Sequence, residues 1–431
     1  MCQVGSDRSD SRRINLRSLE NPAGVTKAEI LVGTPSFNEA GTISHVVATV
    51  DQGLWEFFPG RKAVIVNADN SSPDGTREAF LNTRTVTPKI YLPTPEGTIG
   101  KGENLRNVFL AASHVEAEAV VVVDSDLTSI TPRWIEHLAG PLFNGFDYVA
   151  PLYVRHKYDA GITNHIACPL TRALYGARIR QPIGGDFGLS GPLVNAYLSE
   201  ETWSHSVSHY GIDIWMTTVA LARGFRICQA FLETGKVHRA KDPGEHLGEM
   251  AKQVVAALFD LMGTFEHVWK EVSGSRPTPL FGEDPGSKVR VPAFPLDREK
   301  LYDSIAGGLD SFGETWGKIL DEEDLSRVTG LLEMSAEDLH FPHRLWARTV
   351  YGFAVSYHAG RVPRDHLLQS MIPLNFSRML SFANQAAKMS AAECERYFED
   401  SYLVFEDEKE YLLSRWTEAA RPSPSSFLDS K

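Results

Sequence analysis

A chain of 431 residues is too long for one ordinary core and calls for two domains, or for one large domain with an appendage. Its hydrophobic share of 42% is that of a soluble globular protein, and a formal net charge of −12 leaves no basic excess for a general nucleic-acid binder. Cys2, Cys168, Cys228 and Cys394 lie far apart and form no C-x-x-C, as expected of free thiols in a reducing compartment. No apolar run approaches the ~20 residues that span a bilayer, and the charged N-terminus lacks the apolar core of a secretion signal, so a cytoplasmic location is expected.

Residues 1–27 are polar and read as a flexible N-terminus. A β/α alternation then begins. Glu29–Gly33 reads as a strand, followed by a helical pattern through Val50. Ala63–Val66, Lys89–Leu92, Ala117–Val123, Tyr148–Leu152 and Phe225–Leu232 read as further strands, and Gly100-Lys101-Gly102 opens a helix through Ser113. Asp74 is a candidate helix cap in the polar loop 67–76. Such alternation predicts a mostly parallel sheet with right-handed crossovers, whose ligands bind beyond the C-terminal strand ends. A helical pattern spans 244–272. Residues 273–295, rich in Pro, Gly and Ser, read as a linker. From 296 to 420 the amphipathic stretches Arg344–His358 and Leu374–Lys388 predict an all-helical second domain, and 421–431 a flexible tail. The helical stretches need a partner surface, either the first domain or a second copy in a homodimer.

The chemistry concentrates at the strand ends. Val120–Val123 delivers Asp124 and Asp126, two carboxylates one residue apart that would lean the same way. Two hard oxygen donors at one spot suit a divalent cation that also holds a diphosphate. The plain alternative is an Asp-rich turn, and for this triplet alone it is the more frequent outcome. Asp69, in Asn67–Thr76, could accept an imide N–H of uracil or guanine, or simply sit in an Asx turn. Gly100-Lys101-Gly102 would let backbone approach a phosphate while Lys101 supplies charge, although it lacks P-loop spacing. Gly184 and Gly185 beside Asp186 would let the chain pass close to a sugar ring; the alternative is a tight turn. Asp213 could cap its helix or grip hydroxyls. His238 is a fair third metal ligand if its imidazole is neutral, and otherwise a surface histidine.

Together, the ordered motifs Pro35-Ser36-Phe37-Asn38-Glu39, Asp69, Gly100-Lys101-Gly102, Asp124-Ser125-Asp126-Leu127-Thr128-Ser129, Pro182-Ile183-Gly184-Gly185, Gly211-Ile212-Asp213 and Gly235-Lys236-Val237-His238-Arg239 resemble a GT-A nucleotide-sugar glycosyltransferase. More narrowly, residues 30–270 resemble the retaining mannosylglycerate and glucosyl-3-phosphoglycerate synthases. The resemblance implies a Rossmann-like GT-A domain over 28–272 followed by the helical domain. It implies that Pro35, Asn38 and Glu39 border the nucleotide, with Asp69 at the base and Lys101 near base and phosphates. Asp126 and His238 would ligate Mg²⁺ or Mn²⁺, Asp124 would touch ribose or metal, and Asp213 would grip the hexose. Arg155, Asp159 and Thr163 resemble an acceptor site for a small carboxylate. The implied reaction moves glucose or mannose from a GDP- or UDP-sugar to glycerate or 3-phosphoglycerate. Here Asp186 and Phe187 follow the Gly-Gly pair, where the relatives usually carry Glu.

The bond to break joins an anomeric carbon to a diphosphate, so negative charge develops on the leaving group. The metal, Lys101 and Arg239 would stabilise it. No residue is an obvious nucleophile for double displacement, and the resemblance favours front-face attack with retention. Two other classes stand beside this reading. One is an inverting transferase or a nucleotidyltransferase, in which Asp186 would be the base. The other is a nucleotide-sugar-binding protein without turnover.

Overall fold

The computed structural model describes residues 19–95, 97–238, 243–284, 289, 291 and 296–419. Residues 1–18 of the expected N-terminal arm, Cys2, Arg239 and the expected tail 421–431 lie outside the described residues. The chain divides into two compact units: Met1–Val154 with Ile183–Asp242 and Thr278–Val291, and Arg155–Pro182 with Pro243–Pro277 and Pro292–Lys431. Each unit is thus assembled from three separated stretches, whereas the sequence reading draws one continuous domain over 28–272.

Ten strands are described: β1 (Ile30–Ser36), β2 (Ala63–Asp69), β3 (Lys89–Pro93), β4 (Ala119–Val122), β5 (Tyr148–Val154), β6 (Ala177–Arg178), β7 (Phe187–Ser190), β8 (Ile227–Gly235), β9 (Arg276–Pro277) and β10 (Leu280–Phe281). Eight of them form the sheet of the first unit in the order β10-β8-β5-β7-β4-β1-β2-β3. All neighbours run parallel except β7, which is antiparallel to both β4 and β5. The strands are short apolar runs because helices cover the sheet faces. Ala119-Val120-Val121-Val122 is fully buried, and each such valine contributes roughly 1.5–3 kcal/mol of burial. The helix Ile43–Phe57 buries Ile43, Val46, Val47, Val50 and Leu54, a helical-period stripe, into a core shared with Trp134, Ile135 and Leu138.

β7 was not foreseen. It is only Phe-Gly-Leu-Ser, preceded by a Gly-Gly-Asp turn, and too brief to carry a strand pattern. Its direction matters for the site. In the register Val122↔Phe187, the start of β7 lies beside the end of β4, so Asp186 arrives next to Asp124.

Among the described residues, the secondary structure of the second unit is helical apart from the β6–β9 pair. It includes the helices Pro243–Thr264, Arg298–Ile319, His343–Ala359, Arg364–Ala386, Ala391–Asp407 and Lys409–Ala419. The expected amphipathic stretch Arg344–His358 falls inside His343–Ala359, and Leu374–Lys388 overlaps Arg364–Ala386 but runs two residues past its end. Ser390 and Glu393 form a capping box at the start of Ala391–Asp407. Phe382, Tyr397, Phe398 and Tyr402 pack into one buried cluster with Cys168 and Cys394. Arg172, nearly inaccessible, is paired with Glu399 at 2.6 Å and with Glu406. No described helix is long and apolar enough to cross a membrane. The three described cysteines are buried and free.

Candidate metal centre

β4 ends at Val122, so Asp124 and Asp126 stand in the turn that follows it rather than on the strand. Their convergence comes from bracing and not from strand alternation. The Ser125 hydroxyl donates to the Pro35 carbonyl at 2.7 Å, which ties the turn to the end of β1. Leu127 and His238 form an antiparallel bridge, Thr128 N–H donates to the Val237 carbonyl at 2.9 Å, and Val237 N–H donates to Ser129 Oγ at 2.9 Å. These bonds hold the segment after β8 against the segment after β4. Ligand atoms of Asp124, Asp126 and His238 consequently lie within 4.8 Å of one another. His238 Nδ1 is 3.0 Å from Asp126 Oδ1, with the imidazole 40% exposed and Asp126 buried. Two carboxylates and one imidazole make a hard, oxygen-dominated donor set, which fits Mg²⁺ or Mn²⁺ better than a thiolate-seeking metal.

Two lysines grip the same turn. Lys101 Nζ lies 3.0 Å from Asp124 Oδ1 and 3.2 Å from Asp213 Oδ1. Lys236 Nζ lies 2.8 Å from Asp124 Oδ2, 2.6 Å from Asp186 Oδ2 and 2.6 Å from the Gly184 carbonyl oxygen. Burial works against the charged forms of Asp124, Lys101, Lys236 and Asp213, but for the first three the opposite charges win. Despite its burial, Asp124 is held far below the usual carboxylate range by Lys101, Lys236 and His238. Lys101 and Lys236 are raised by their carboxylates despite burial. Asp213 goes the other way: burial, with Asp124 adding to it, pushes its carboxyl up against the pull of Lys101. Asp213 is not the cap residue of its helix. It sits in the first turn of Ile212–Ala222, with Gly211 as the cap residue.

Asp186 is fully buried. Its Oδ1 accepts the Asp124 backbone N–H at 2.8 Å, and its Oδ2 accepts from Lys236 and from the Tyr153 hydroxyl. Gly185 has φ +87°, and a Cβ there would stand 2.4 Å from Asp124 Oδ2 and 2.6 Å from Lys236 Nζ. The glycine pair thus passes close over an ion cluster. A Cβ on Gly100 or Gly102 would strike the Ser208 or Val207 carbonyl oxygen at 2.2 and 1.9 Å, so these glycines serve close packing of the helix Lys101–His114 against the 207–208 backbone.

The residues expected at the nucleotide side, Asn38, Glu39 and Asp69, lie at the ends of β1 and β2 in the first unit. Asp69 is buried and accepts from Ser36 Oγ at 2.6 Å, Ser72 Oγ at 2.6 Å, Ser72 N–H at 2.8 Å and Tyr91 OH at 2.9 Å. Protein donors therefore already engage both of its oxygens. Asn38, at φ +60°, donates its N–H to Ser72 Oγ, and Glu39 donates its N–H to Thr76 Oγ1, both at 2.8 Å. Asp74 is not the cap its position suggested: Gly75 is the cap residue, and Asp74, one residue earlier, accepts Thr76 N–H at 3.0 Å. Arg155, Asp159 and Thr163 belong to the other unit. There Arg155 Nη1 pairs with Asp159 Oδ2 at 2.9 Å, and its Nε donates to Gln181 Oε1 at 3.4 Å. Thr163 is buried at the start of a π-helical turn, Thr163–Ala167.

Residues 96–259, which hold Lys101, Asp124, Asp126, Asp186, Asp213 and His238, match the family model "Mannosylglycerate synthase, GT domain". This segment is similar to the glycosyltransferase domain of mannosylglycerate synthases. Mannosylglycerate synthase of Rhodothermus marinus is 28% identical over 189 residues, which is 42% of this chain and 47% of that protein. The Selaginella moellendorffii enzyme of the same name is 28% identical over 168 residues, 38% of this chain and 39% of that protein. Glucosyl-3-phosphoglycerate synthase of Petrotoga mobilis is 28% identical over 176 residues, 40% of this chain and 47% of that protein. The matches thus span less than half the length of these relatives. Among solved structures, glucosyl-3-phosphoglycerate synthase from Mycobacterium tuberculosis in complex with Mn²⁺, UDP and glucosyl-3-phosphoglycerate is 26% identical, with a TM-score of 0.44, over 55% of this chain and 80% of that one.

Lys236 is the site residue to which the sequence assigned no role. It sits inside a motif noted for its histidine, and its partners Asp124 and Asp186 are 112 and 50 positions away. The signal that could have found it is a lysine immediately after a buried strand end, where an unpaired charge is costly.

Proposed function

We propose that this chain is a metal-dependent retaining glycosyltransferase that moves a hexose from a nucleoside-diphosphate sugar to a small hydroxy-carboxylate such as glycerate or 3-phosphoglycerate. The observation that carries the reading is the convergence of Asp124, Asp126 and His238 beside two buried lysines, within the segment that matches the glycosyltransferase family model. Asp126 and His238, with Asp124, would hold Mn²⁺ or Mg²⁺, and the ion when bound would supply charge neutralisation for a diphosphate leaving group. Lys101 adds positive charge at the same turn. Asp213, whose carboxyl is held by Lys101, binds hexose hydroxyls. Pro35, Asn38, Glu39 and Asp69 shape the nucleotide side, with the Asp69 carboxylate ordering its loop. Arg155 offers a planar fork to the acceptor carboxylate, with Asp159 fixing its orientation and Thr163 nearby in sequence.

Retention is favoured because Asp186 is a poor general base or nucleophile. It is fully buried, with Asp124 N–H, Lys236 and Tyr153 all donating to it. Front-face attack, with the leaving phosphate taking the acceptor's proton, needs no such residue. The experiment is a mass-spectrometric screen of UDP- and GDP-glucose and -mannose against glycerate and 3-phosphoglycerate, with Mn²⁺ or with EDTA. A metal-dependent hexosyl product with the donor's anomeric configuration is expected. An inverted product would overturn the retaining mechanism, and no nucleoside diphosphate release from any donor would overturn the enzyme reading.

A further inference from the structure

The cluster around Lys236 does more than add charge. Lys236 Nζ bonds Asp124, Asp186 and the Gly184 carbonyl, and it lies 5.1 Å from the centroid of the Tyr153 ring, with its side chain only 2% exposed. The Tyr153 hydroxyl closes the ring by donating to Asp186, with the Gly184 carbonyl 3.1 Å from the same hydroxyl oxygen. Asp186 in turn accepts the backbone N–H of Asp124. Asp124 is therefore fixed twice by this pair, through its carboxylate by Lys236 and through its backbone by Asp186. Neither partner is aimed at solvent: Asp186 is fully inaccessible.

Charge points the same way. Asp124, Asp126, Asp186 and Asp213 against Lys101 and Lys236 leave two negative charges, the amount one divalent cation offsets. Lys236 and Asp186 cancel each other in that balance, so their joint effect is orientation rather than field.

We propose that Lys236 and Asp186 form a positioning pair that sets the geometry of the Asp124-Ser125-Asp126 turn, and through it the affinity of the Asp124/Asp126/His238 centre for its divalent ion. This rests on the metal-centre reading above. Groups that orient metal ligands typically carry 10–100-fold in affinity.

The test is Mn²⁺ binding to the full chain, followed by calorimetry or by the electron paramagnetic resonance signal of free Mn²⁺. Lys236→Met alone strands the buried Asp186 charge and is expected to lower thermal stability. The double variant Lys236→Met/Asp186→Asn removes both charges, keeps an acceptor for Asp124 N–H, and is the decisive protein. It is expected to bind Mn²⁺ about tenfold more weakly than wild type. Its kcat at saturating Mn²⁺ should recover more fully than its activity at low Mn²⁺. Unchanged or tighter Mn²⁺ binding in the folded double variant would overturn the proposal, as would a kcat loss that excess Mn²⁺ does not relieve. Asp126→Ala separates the two levels of argument. If it binds Mn²⁺ like wild type, the metal centre itself is wrong; if it alone loses Mn²⁺, only the positioning pair is wrong.

Discussion

Gly185→Ala tests how tightly the glycine pair is wrapped around the ion cluster, and Gly75→Ala is its built-in control. Both glycines have left-handed backbone, φ +87° and +94°. At Gly75 an added Cβ meets nothing within 4 Å, so only backbone strain is at stake. That strain is about 1–2 kcal/mol, and the reduced freedom of the unfolded chain offsets about 0.4–1 kcal/mol of it. Gly75→Ala should therefore cost at most about 1.6 kcal/mol. At Gly185 the same strain is joined by contacts of 2.4 Å to Asp124 Oδ2 and 2.6 Å to Lys236 Nζ, well inside van der Waals distance. The 2.8 Å Lys236–Asp124 contact must open to admit the methyl. Complete loss of a buried pair costs about 3–5 kcal/mol. Here Lys236 keeps Asp186 and Gly184 while Asp124 keeps Lys101, so the total for Gly185→Ala should be about 2–4 kcal/mol. Urea melts of both variants in one buffer give the comparison, and a Mn²⁺ titration shows whether the turn has moved. Equal losses for the two variants would refute the reasoning, because the methyl would then find space the distances deny it.

Asp126→Ala should lower turnover on the order of 10²-fold or more, measured by nucleoside diphosphate release at saturating Mn²⁺; near wild-type rates in excess EDTA would sink the metal assignment. Arg155→Lys keeps charge but loses the fork, so acceptor KM should rise while donor KM stays nearly constant; a donor effect would place Arg155 elsewhere. Burial, with Arg378 nearby, holds the His165 and His343 imidazoles below their ordinary range, His343 at about 3, and Arg378 Nη2 donates to His343 Nδ1 at 2.5 Å. Below pH 6.5 the unfolded chain takes up protons that the fold refuses, so each group should cost ~1.4 kcal/mol per pH unit as pH falls towards its folded value. Urea midpoints at pH 7 and 5.5 should show this loss, and His343→Gln should reduce it; an identical pH dependence in the variant would refute the assignment.

What was legible in the sequence and what was not divides along a physical line. Short apolar runs announce buried strands, and their C-terminal ends announce where ligands collect, so Asp69, Asp124, Asp126 and His238 stand out as candidates from local pattern, while their joint role is what the family resemblance implies. Bracing is not local. The pattern Val-Val-Val-Asp-Ser-Asp invites an argument from strand alternation, yet the strand stops at Val122, and it is Ser125 on the Pro35 carbonyl and Leu127 against His238 that shape the turn. The role of Lys236 depends on β7 running antiparallel between β4 and β5, which brings Asp186 to the end of β4. Nothing in four residues, Phe187-Gly188-Leu189-Ser190, encodes that direction; it follows from which neighbours the rest of the sheet leaves to pair. The same holds for the glycines. Gly100 and Gly102 look like a phosphate cradle in sequence, but their missing Cβ atoms are filled by the 207–208 backbone more than 100 residues away. A residue's chemistry is readable from its type, but whether that chemistry faces a ligand or holds another residue in place is decided by partners distant in the chain. The Asp69 carboxylate shows both sides: its position at a strand end was readable, and the Ser36, Ser72 and Tyr91 donors that engage it were not.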